Sequence, residues 1–351
     1  MMGKASVSPA SVLILLFLVL LAPACGAGEP ETDAPSEALV PELEAGAVVF
    51  NSPALDEIVP ANYRIEKLRA GFTFTEGPLW VEQGGPYLLF SDVRENAIYK
   101  WSPDGTVSDF LTPIYGAAFE EGRFVGPSGL TLDAENRLVF TEYGNGRITR
   151  RERDGSLTVL VDNYGGKPLN SPNDLVYRSD GSLYFTDPPF GFLHQDDDPL
   201  KQLDFNGVFR LRPDGELELL SRSLTRPNGI AFSPDERTLY ISNSDPNNKL
   251  WMAFDVNEDG SILGGRVFHN ASSETAPGLP DGLKVDTQGN VYAAGPGGVW
   301  VFNTAGTHLG TIQPEETPAN LAWGDGDGKT LYMTARTGIY RVRLNVEGIR
   351  P

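Results

Sequence analysis

Six short segments of this chain share one pattern, in which a polar residue and a Gly or another small or polar residue precede an apolar run. The polar residues are separated by 52, 45, 55, 53 and 39 residues. Five of the six carry a carboxylate or amide oxygen. A hard cation such as calcium binds about six to eight oxygen ligands of this kind. The six residues are Glu76, Ser128, Asn173, Asn228, Asp281 and Asn320.

The spacing of these positions indicates a repeated structural unit. The average period is about 49 residues, and each unit contains several short strand-like runs, which is typical of a β-propeller. In unit 3, for example, the aromatic run 183–187 and the run 207–211 both follow the polar position. Equivalent positions of all blades meet on the axis of a propeller, so we expect the six residues to form one ring.

The sequence therefore predicts an all-β fold, a six-bladed β-propeller with four-stranded antiparallel blades over residues 61–351. The sixth unit has three strand-like runs and lacks a fourth. The alternating segment 63–68 precedes the first unit, and we expect it to supply the outer strand of the last blade. Such an N-terminal closing strand leaves less sheet edge exposed.

The N-terminus has the features of an export signal. Residues 12–21 are an apolar run of ten after Lys4, too short for a bilayer span of about 20 residues and typical of a secretory signal peptide, here 1–24. Cys25 follows directly. One interpretation is lipidation of Cys25 and anchoring of a periplasmic protein to a bacterial membrane, which would be the only membrane contact. The alternative is a soluble secreted protein in which Cys25 is incidental.

Residues 25–60 are predicted to be an acidic, Pro-rich tether. Eight acids and no Lys or Arg occur between residues 26 and 60, a composition typical of solvated segments. The alternative is an N-terminal arm that is ordered in its second half. The formal net charge of −19 argues against a nucleic-acid partner, because phosphate binding needs basic patches.

Four of the six polar residues are predicted metal ligands. Glu76, Asn173, Asn228 and Asp281 supply two carboxylates and two amides, which leaves coordination positions for water and substrate. Ordinary turn residues are the alternative interpretation, but their recurrence in phase with the blade period favours a metal site. Oxygen ligands favour Ca²⁺, and Mg²⁺, Mn²⁺ or Zn²⁺ remain alternatives.

These motifs resemble those of the family of senescence marker protein (regucalcin), gluconolactonase and luciferin-regenerating enzyme, in particular its bacterial gluconolactonase branch. The family consists of six-bladed, calcium-dependent propellers. The resemblance implies that Glu76, Asn228 and Asp281 are metal ligands, that Asn173 touches the metal or the substrate, and that Asp281 is the base or nucleophile. The matching stretches are 74–80, 169–175, 184–191, 226–229 and 280–282.

The chain departs from that branch at two positions. Ser128 stands where the branch usually has Asn, and Tyr143 stands where it usually has His. We expect both side chains to line the mouth of the site. Together with Asn173 and Asn320 they are the predicted substrate-binding residues.

The predicted function is calcium-dependent opening of a lactone ring. The metal would polarise the carbonyl, and Asp281 would activate water, although direct attack by Asp281 is an alternative. Two other functions fit the same fold: a metal-dependent phosphotriesterase or arylesterase, and a non-catalytic ligand-binding propeller. The partner in the leading interpretation is a small lactone or ester, and the oligomeric state is left open.

Overall fold

The computed structural model describes residues 44–351, which form six antiparallel sheets around a central axis. The predicted six-bladed β-propeller is confirmed. Helical structure in the described range consists of two 3₁₀ turns, Pro53–Glu57 and Gln195–Asp197. No helix among these residues is long and apolar enough to cross a membrane. The predicted signal peptide and Cys25 lie outside the described residues.

Each blade has four strands that follow one another outward from the axis. In blades 1 and 2 they are Thr75–Val81, Tyr87–Asp92, Ala97–Trp101 and Val107–Leu111, then Pro127–Leu132, Leu138–Glu142, Arg147–Arg151 and Leu157–Val161. In blades 3 and 4 they are Leu175–Tyr177, Leu183–Asp187, Gly207–Leu211 and Leu217–Ser221, then Pro227–Phe232, Thr238–Asp245, Asn248–Val256 and Ile262–Asn270. In blades 5 and 6 they are Leu283–Val285, Val291–Gly295, Gly298–Phe302 and His308–Pro314, then Pro318–Gly324, Thr330–Ala335, Gly338–Arg343 and the N-terminal Ile65–Ala70. A small hairpin, Asn163–Tyr164 with Lys167–Pro168, follows blade 2.

The N-terminal strand closes the ring as predicted. Ile65–Ala70 pairs antiparallel with Gly338–Arg343 as the outermost strand of blade 6. Blade 6 therefore combines one strand that precedes blade 1 in the chain with three strands that follow blade 5. Opening the ring of blades at this point would require breaking this pairing. The structure places the strand two residues later than the predicted segment 63–68.

The prediction of a tether over 25–60 is wrong for residues 46–60. Gly46–Phe50 adds a fifth strand to blade 5 by pairing with His308–Pro314, and the 3₁₀ turn Pro53–Glu57 follows it. The reason is apolar burial within an acidic segment: Leu55, Ile58 and Val59 all belong to the core that blades 5 and 6 share. Their burial removes apolar surface from water and outweighs the solvation of the neighbouring acids.

Aromatic pairs join successive blades. Trp80 of blade 1 stacks on Tyr332 of blade 6 with ring centroids 5.0 Å apart. Tyr184 meets Phe232 edge to face at 4.9 Å between blades 3 and 4. Such contacts contribute about 0.5–1.5 kcal/mol each beyond area burial, and they fix the blades against one another around the ring.

Candidate active site

The six predicted ring residues lie at the same end of the six blades. Glu76, Ser128, Asn228 and Asn320 are near the start of their innermost strands, whereas Asn173 and Asp281 precede theirs by two residues. The second strand of each blade runs back to this end, since Glu76 pairs with Ser91 in blade 1. We call this end of the propeller the mouth side.

Glycines that follow the ring residues allow neighbouring blades to approach closely. A Cβ atom on Gly77 would lie 1.9 Å from the carbonyl oxygen of Ser128 in the next blade, and the backbone φ of Gly77 is +44°. A Cβ atom on Gly229 would lie 2.4 Å from the carbonyl oxygen of Asp281. Only glycine fits such contacts, so these residues determine how tightly the ring closes.

Buried hydroxyls on the second strands hold the backbone of the ring. Each donates to the carbonyl oxygen of the ring residue in the following blade, and all four are fully buried. The pairs are Ser91 with Ser128 at 2.8 Å, Thr141 with Asn173 at 3.0 Å, Thr186 with Asn228 at 2.7 Å, and Ser242 with Asp281 at 2.7 Å. The sequence analysis missed these residues, although a Ser or Thr recurs at this place in five of the six second strands.

Carboxylates at the ends of second strands anchor the loops that lead into the ring. Asp92 accepts hydrogen bonds from the backbone N–H groups of Thr73 and Phe74 at 2.6 and 3.1 Å. Asp187 likewise accepts from Asn170 and Ser171, both at 2.8 Å. These contacts satisfy buried polar groups and fix the approach to Glu76 and Asn173.

Glu76 is buried in the ring with only 3 % of its surface exposed. Its Oε2 accepts hydrogen bonds from the backbone of Gly77 at 2.9 Å and from Asn320 Nδ2 at 3.1 Å. Burial raises the pKa of Glu76 from 4.5 to about 7, although the two hydrogen bonds act in the opposite direction. Asn320, a predicted substrate-binding residue, is therefore placed where it orients Glu76.

Asp281 and Asn228 are neighbours, and each has a buried side-chain oxygen that accepts no hydrogen bond from the described residues. Burial raises the pKa of Asp281 well above its usual value, the negative charge of Glu76 raises it further, and the Asn228 amide lowers it. Asn228 donates through Nδ2 to Ser244 Oγ at 2.9 Å. Within the described part of the chain, Asn228 Oδ1 and Asp281 Oδ1 are buried and accept no hydrogen bond.

The remaining predicted site residues meet at the hydroxyl of Tyr143. This hydroxyl donates to Ser128 Oγ at 3.2 Å and accepts a hydrogen bond from Asn173 Nδ2. Burial raises the pKa of Tyr143, as does the charge of Glu76, so the phenol is neutral at physiological pH. Asn173 therefore has its amide oxygen left to offer to a cation or a substrate.

Asp174 is a buried carboxylate beside the ring, within the stretch 169–175, that the sequence analysis did not assign to the site. It is 2 % exposed and lies 3.8 Å from Lys284 Nζ. Its charge contributes to raising the pKa values of both Glu76 and Asp281. It occupies the position where the units of Glu76 and Asn228 have glycine, and this difference was a visible signal.

The ring has the polar groups that a divalent cation requires. Uncompensated buried oxygens are costly, and those of Asn228 and Asp281 stand beside a second carboxylate, Glu76. A cation would compensate both the orphaned oxygens and the repulsion between the carboxylates. Over residues 44–351 no three His, Cys, Asp or Glu side chains form a metal-binding cluster, so amide oxygens would have to complete such a site. The donor set fits a hard, oxygen-preferring cation.

A separate cavity of about 700 Å³ lies in the central channel beyond the ring. Its walls come from residues that follow the ring positions along the innermost strands, such as Trp80, Ile230 and Lys284. The C-terminal Ile349 and Arg350 also line it. This cavity is therefore on the side of the ring opposite the mouth.

Comparisons with known proteins find similar sequences and folds over most of the chain. The family described as "SMP-30/Gluconolactonase/LRE-like region" matches residues 74–337. A gluconolactonase from Zymomonas mobilis is 38 % identical over an alignment of 317 positions that covers 86 % of this chain and 87 % of that protein. The solved structure of a gluconolactonase from Xanthomonas campestris has a TM-score of 0.76 and 33 % identity, covering 88 % of this chain and 98 % of that one.

A more distant solved structure agrees in fold. The luciferin-regenerating enzyme has a TM-score of 0.66 at 20 % identity and covers 82 % of this chain and 97 % of its own. The family match spans all six ring positions, from Glu76 to Asn320. The chain belongs to the SMP-30/gluconolactonase/LRE-like family.

Proposed function

We propose that this protein is a lactonase that depends on a divalent cation, with calcium as the cation that its oxygen donors favour. The observation that carries the proposal is the pair of uncompensated oxygens on Asn228 and Asp281 beside the buried carboxylate of Glu76. The names of two similar proteins, the gluconolactonases of Zymomonas mobilis and Xanthomonas campestris, support a sugar lactone as the substrate class.

The residues that would hold the cation are Glu76, Asn228 and Asp281, with Asn173 as a further oxygen donor. A bound cation would supply Lewis-acid polarisation of the lactone carbonyl. Asn320 would keep Glu76 in place through its 3.1 Å hydrogen bond. Ser128, Tyr143 and Asn173 would contact the substrate on the mouth side, because their side chains already form one hydrogen-bonded group.

Asp281 would act as the general base. It accepts a proton from the water that attacks the lactone carbonyl carbon. As the ring C–O bond breaks, the proton passes to the departing alkoxide oxygen. The product hydroxy acid then ionises and releases one proton to solvent, so turnover can be followed by acid production.

Proton release on addition of D-gluconolactone, measured with calcium and with a chelator, tests the proposal. We expect release faster than the spontaneous hydrolysis of the lactone, and we expect the chelator to abolish this excess and Asp281→Asn to reduce it by about 10²-fold or more. If the Asp281→Asn variant hydrolysed the lactone at the wild-type rate, Asp281 would not be the general base. Hydrolysis of phosphotriesters alone would favour the second predicted reaction, and binding without hydrolysis of any ester would favour a non-catalytic propeller.

A further inference from the structure

Two arginines on the mouth side have no role in the proposed reaction. Arg94 lies in the turn after the second strand of blade 1, and Arg336 lies in the corresponding turn of blade 6. The carbonyl oxygen of Arg336 accepts a hydrogen bond from the backbone of Thr75 at 2.8 Å. Arg336 is therefore next to the strand that carries Glu76.

The two arginines flank a pair of phenylalanines. The guanidinium carbon of Arg94 is 4.8 Å from the ring centroid of Phe124, and that of Arg336 is 5.9 Å from the centroid of Phe74. The two rings are themselves 6.2 Å apart. Both phenylalanines are half-buried and both arginines are exposed. Cation–π contacts at such distances attract a guanidinium to the ring face, and its N–H groups stay available to an anion.

Neither guanidinium is neutralised locally. Between residues 44 and 351, no carboxylate oxygen lies within 4.0 Å of a guanidinium nitrogen of Arg94 or Arg336. Arginines elsewhere on this acidic protein do pair, as Arg341 does with Glu66 at 2.7 Å. The mouth therefore presents two positive charges to an incoming ligand.

The backbone conformation of Arg336 is unusual for a residue other than glycine. Its φ of +46° lies in the left-handed region, which glycine adopts at lower cost than arginine. The corresponding positions in blades 2 and 4 are Tyr143 and Ser244, and both send a side-chain hydroxyl to a ring residue or its partner. Side chains from the corresponding turns of blades 2 and 4 therefore reach the ring, while the guanidinium of Arg336 lies against Phe74.

Resting on the proposed function, we propose that Arg94 and Arg336 form an anion subsite that binds a carboxylate or phosphate group carried by the lactone. Guanidinium groups bind both anions through paired N–H groups. The ring carboxylates Glu76 and Asp281 repel an anion, so a charged lactone would bind with its anionic group at the mouth and its ester at the ring. The substrate class is an acidic sugar lactone.

Three lactones that differ only at C6 test the subsite: D-glucono-1,4-lactone, D-glucaro-1,4-lactone with a C6 carboxylate, and the 6-phosphate of the first. We expect the wild type to have a higher kcat/KM for a charged lactone than for the neutral one, and the preferred anion identifies the natural group. Arg336→Ala should reduce this preference about tenfold, mainly through KM. Arg336→Lys should retain part of it, because the charge remains without the paired donors.

Arg151→Ala is the matched control. Arg151 also packs on an aromatic ring, Phe110 at 5.3 Å, but it ends the third strand of blade 2 at the end away from the mouth. This variant should keep the wild-type preference. Equal kcat/KM values for neutral and charged lactones, or an unchanged ratio in Arg94→Ala and Arg336→Ala, would overturn the subsite and leave the lactonase proposal standing. Failure of the calcium-loaded wild type to hydrolyse any of the three would overturn both.

Discussion

The hydroxyl of Thr186 links the packing of the blades to the geometry of the ring. It donates to the carbonyl oxygen of Asn228 at 2.7 Å and accepts from the backbone N–H of Asp174 at 3.2 Å. Thr186→Val preserves the shape of the side chain and removes both contacts. A buried polar group that loses its partner costs about 1–3 kcal/mol, so we expect the variant to lose about 2 kcal/mol of unfolding free energy.

Part of that cost should appear as weaker metal binding. Asn228 would turn its unpaired carbonyl toward another donor, and its side-chain oxygen would shift with the backbone. If about 1.4 kcal/mol is lost in binding, the calcium Kd rises about tenfold. Urea unfolding of the metal-free protein measures the stability, and a calorimetric calcium titration measures the affinity.

Two variants make the test specific. Thr149→Val is the matched control, because Thr149 is also fully buried but its hydroxyl has no hydrogen-bond partner in the described residues. We expect it to be neutral in both assays. Thr186→Ser keeps the hydroxyl and should keep the calcium affinity. The reasoning fails if Thr186→Val destabilises no more than Thr149→Val, or if it loses stability while binding calcium as the wild type does.

Three further predictions concern the ring and the N-terminus. Because burial raises the pKa of Glu76 from 4.5 to about 7, the metal-free protein should lose stability as pH rises from about 4.5 through 7. Calcium affinity should rise over the same range as bound protons are displaced; a pH-independent Kd would contradict this. Asn320→Ala removes the hydrogen bond to Glu76 and should weaken calcium binding about tenfold or more in a direct titration, whereas an unchanged Kd would show that Gly77 alone suffices. Cys25→Ser should release the expressed full chain from the membrane fraction if Cys25 is lipidated, and unchanged fractionation would favour the soluble export signal.

The recurring pattern explains why much of the fold was predictable from the sequence. A ring position, a second strand and a third strand recur about every 49 residues, and propeller symmetry converts such a period into a shared axis. The closing strand was predictable for a related reason, because a blade with three strands leaves an edge to be paired. The two 3₁₀ turns and the fifth strand of blade 5 do not recur from one unit to the next. The sequence therefore gave no comparable signal for them.

The sequence by itself determined the architecture and the six residues on the axis, because both follow from repetition along the chain. Only the tertiary structure decided what each axial residue contacts. It paired Asn320 with Glu76 across 244 positions, set Tyr143 between Ser128 and Asn173, and left the oxygens of Asn228 and Asp281 without partners. Local propensity also suggested a solvated segment before residue 60, whereas Leu55 and Ile58 bury against blades that follow them in the chain by some 250 residues. Contacts between neighbouring blades depend on side chains that are remote in sequence, and packing around a closed ring selects among them.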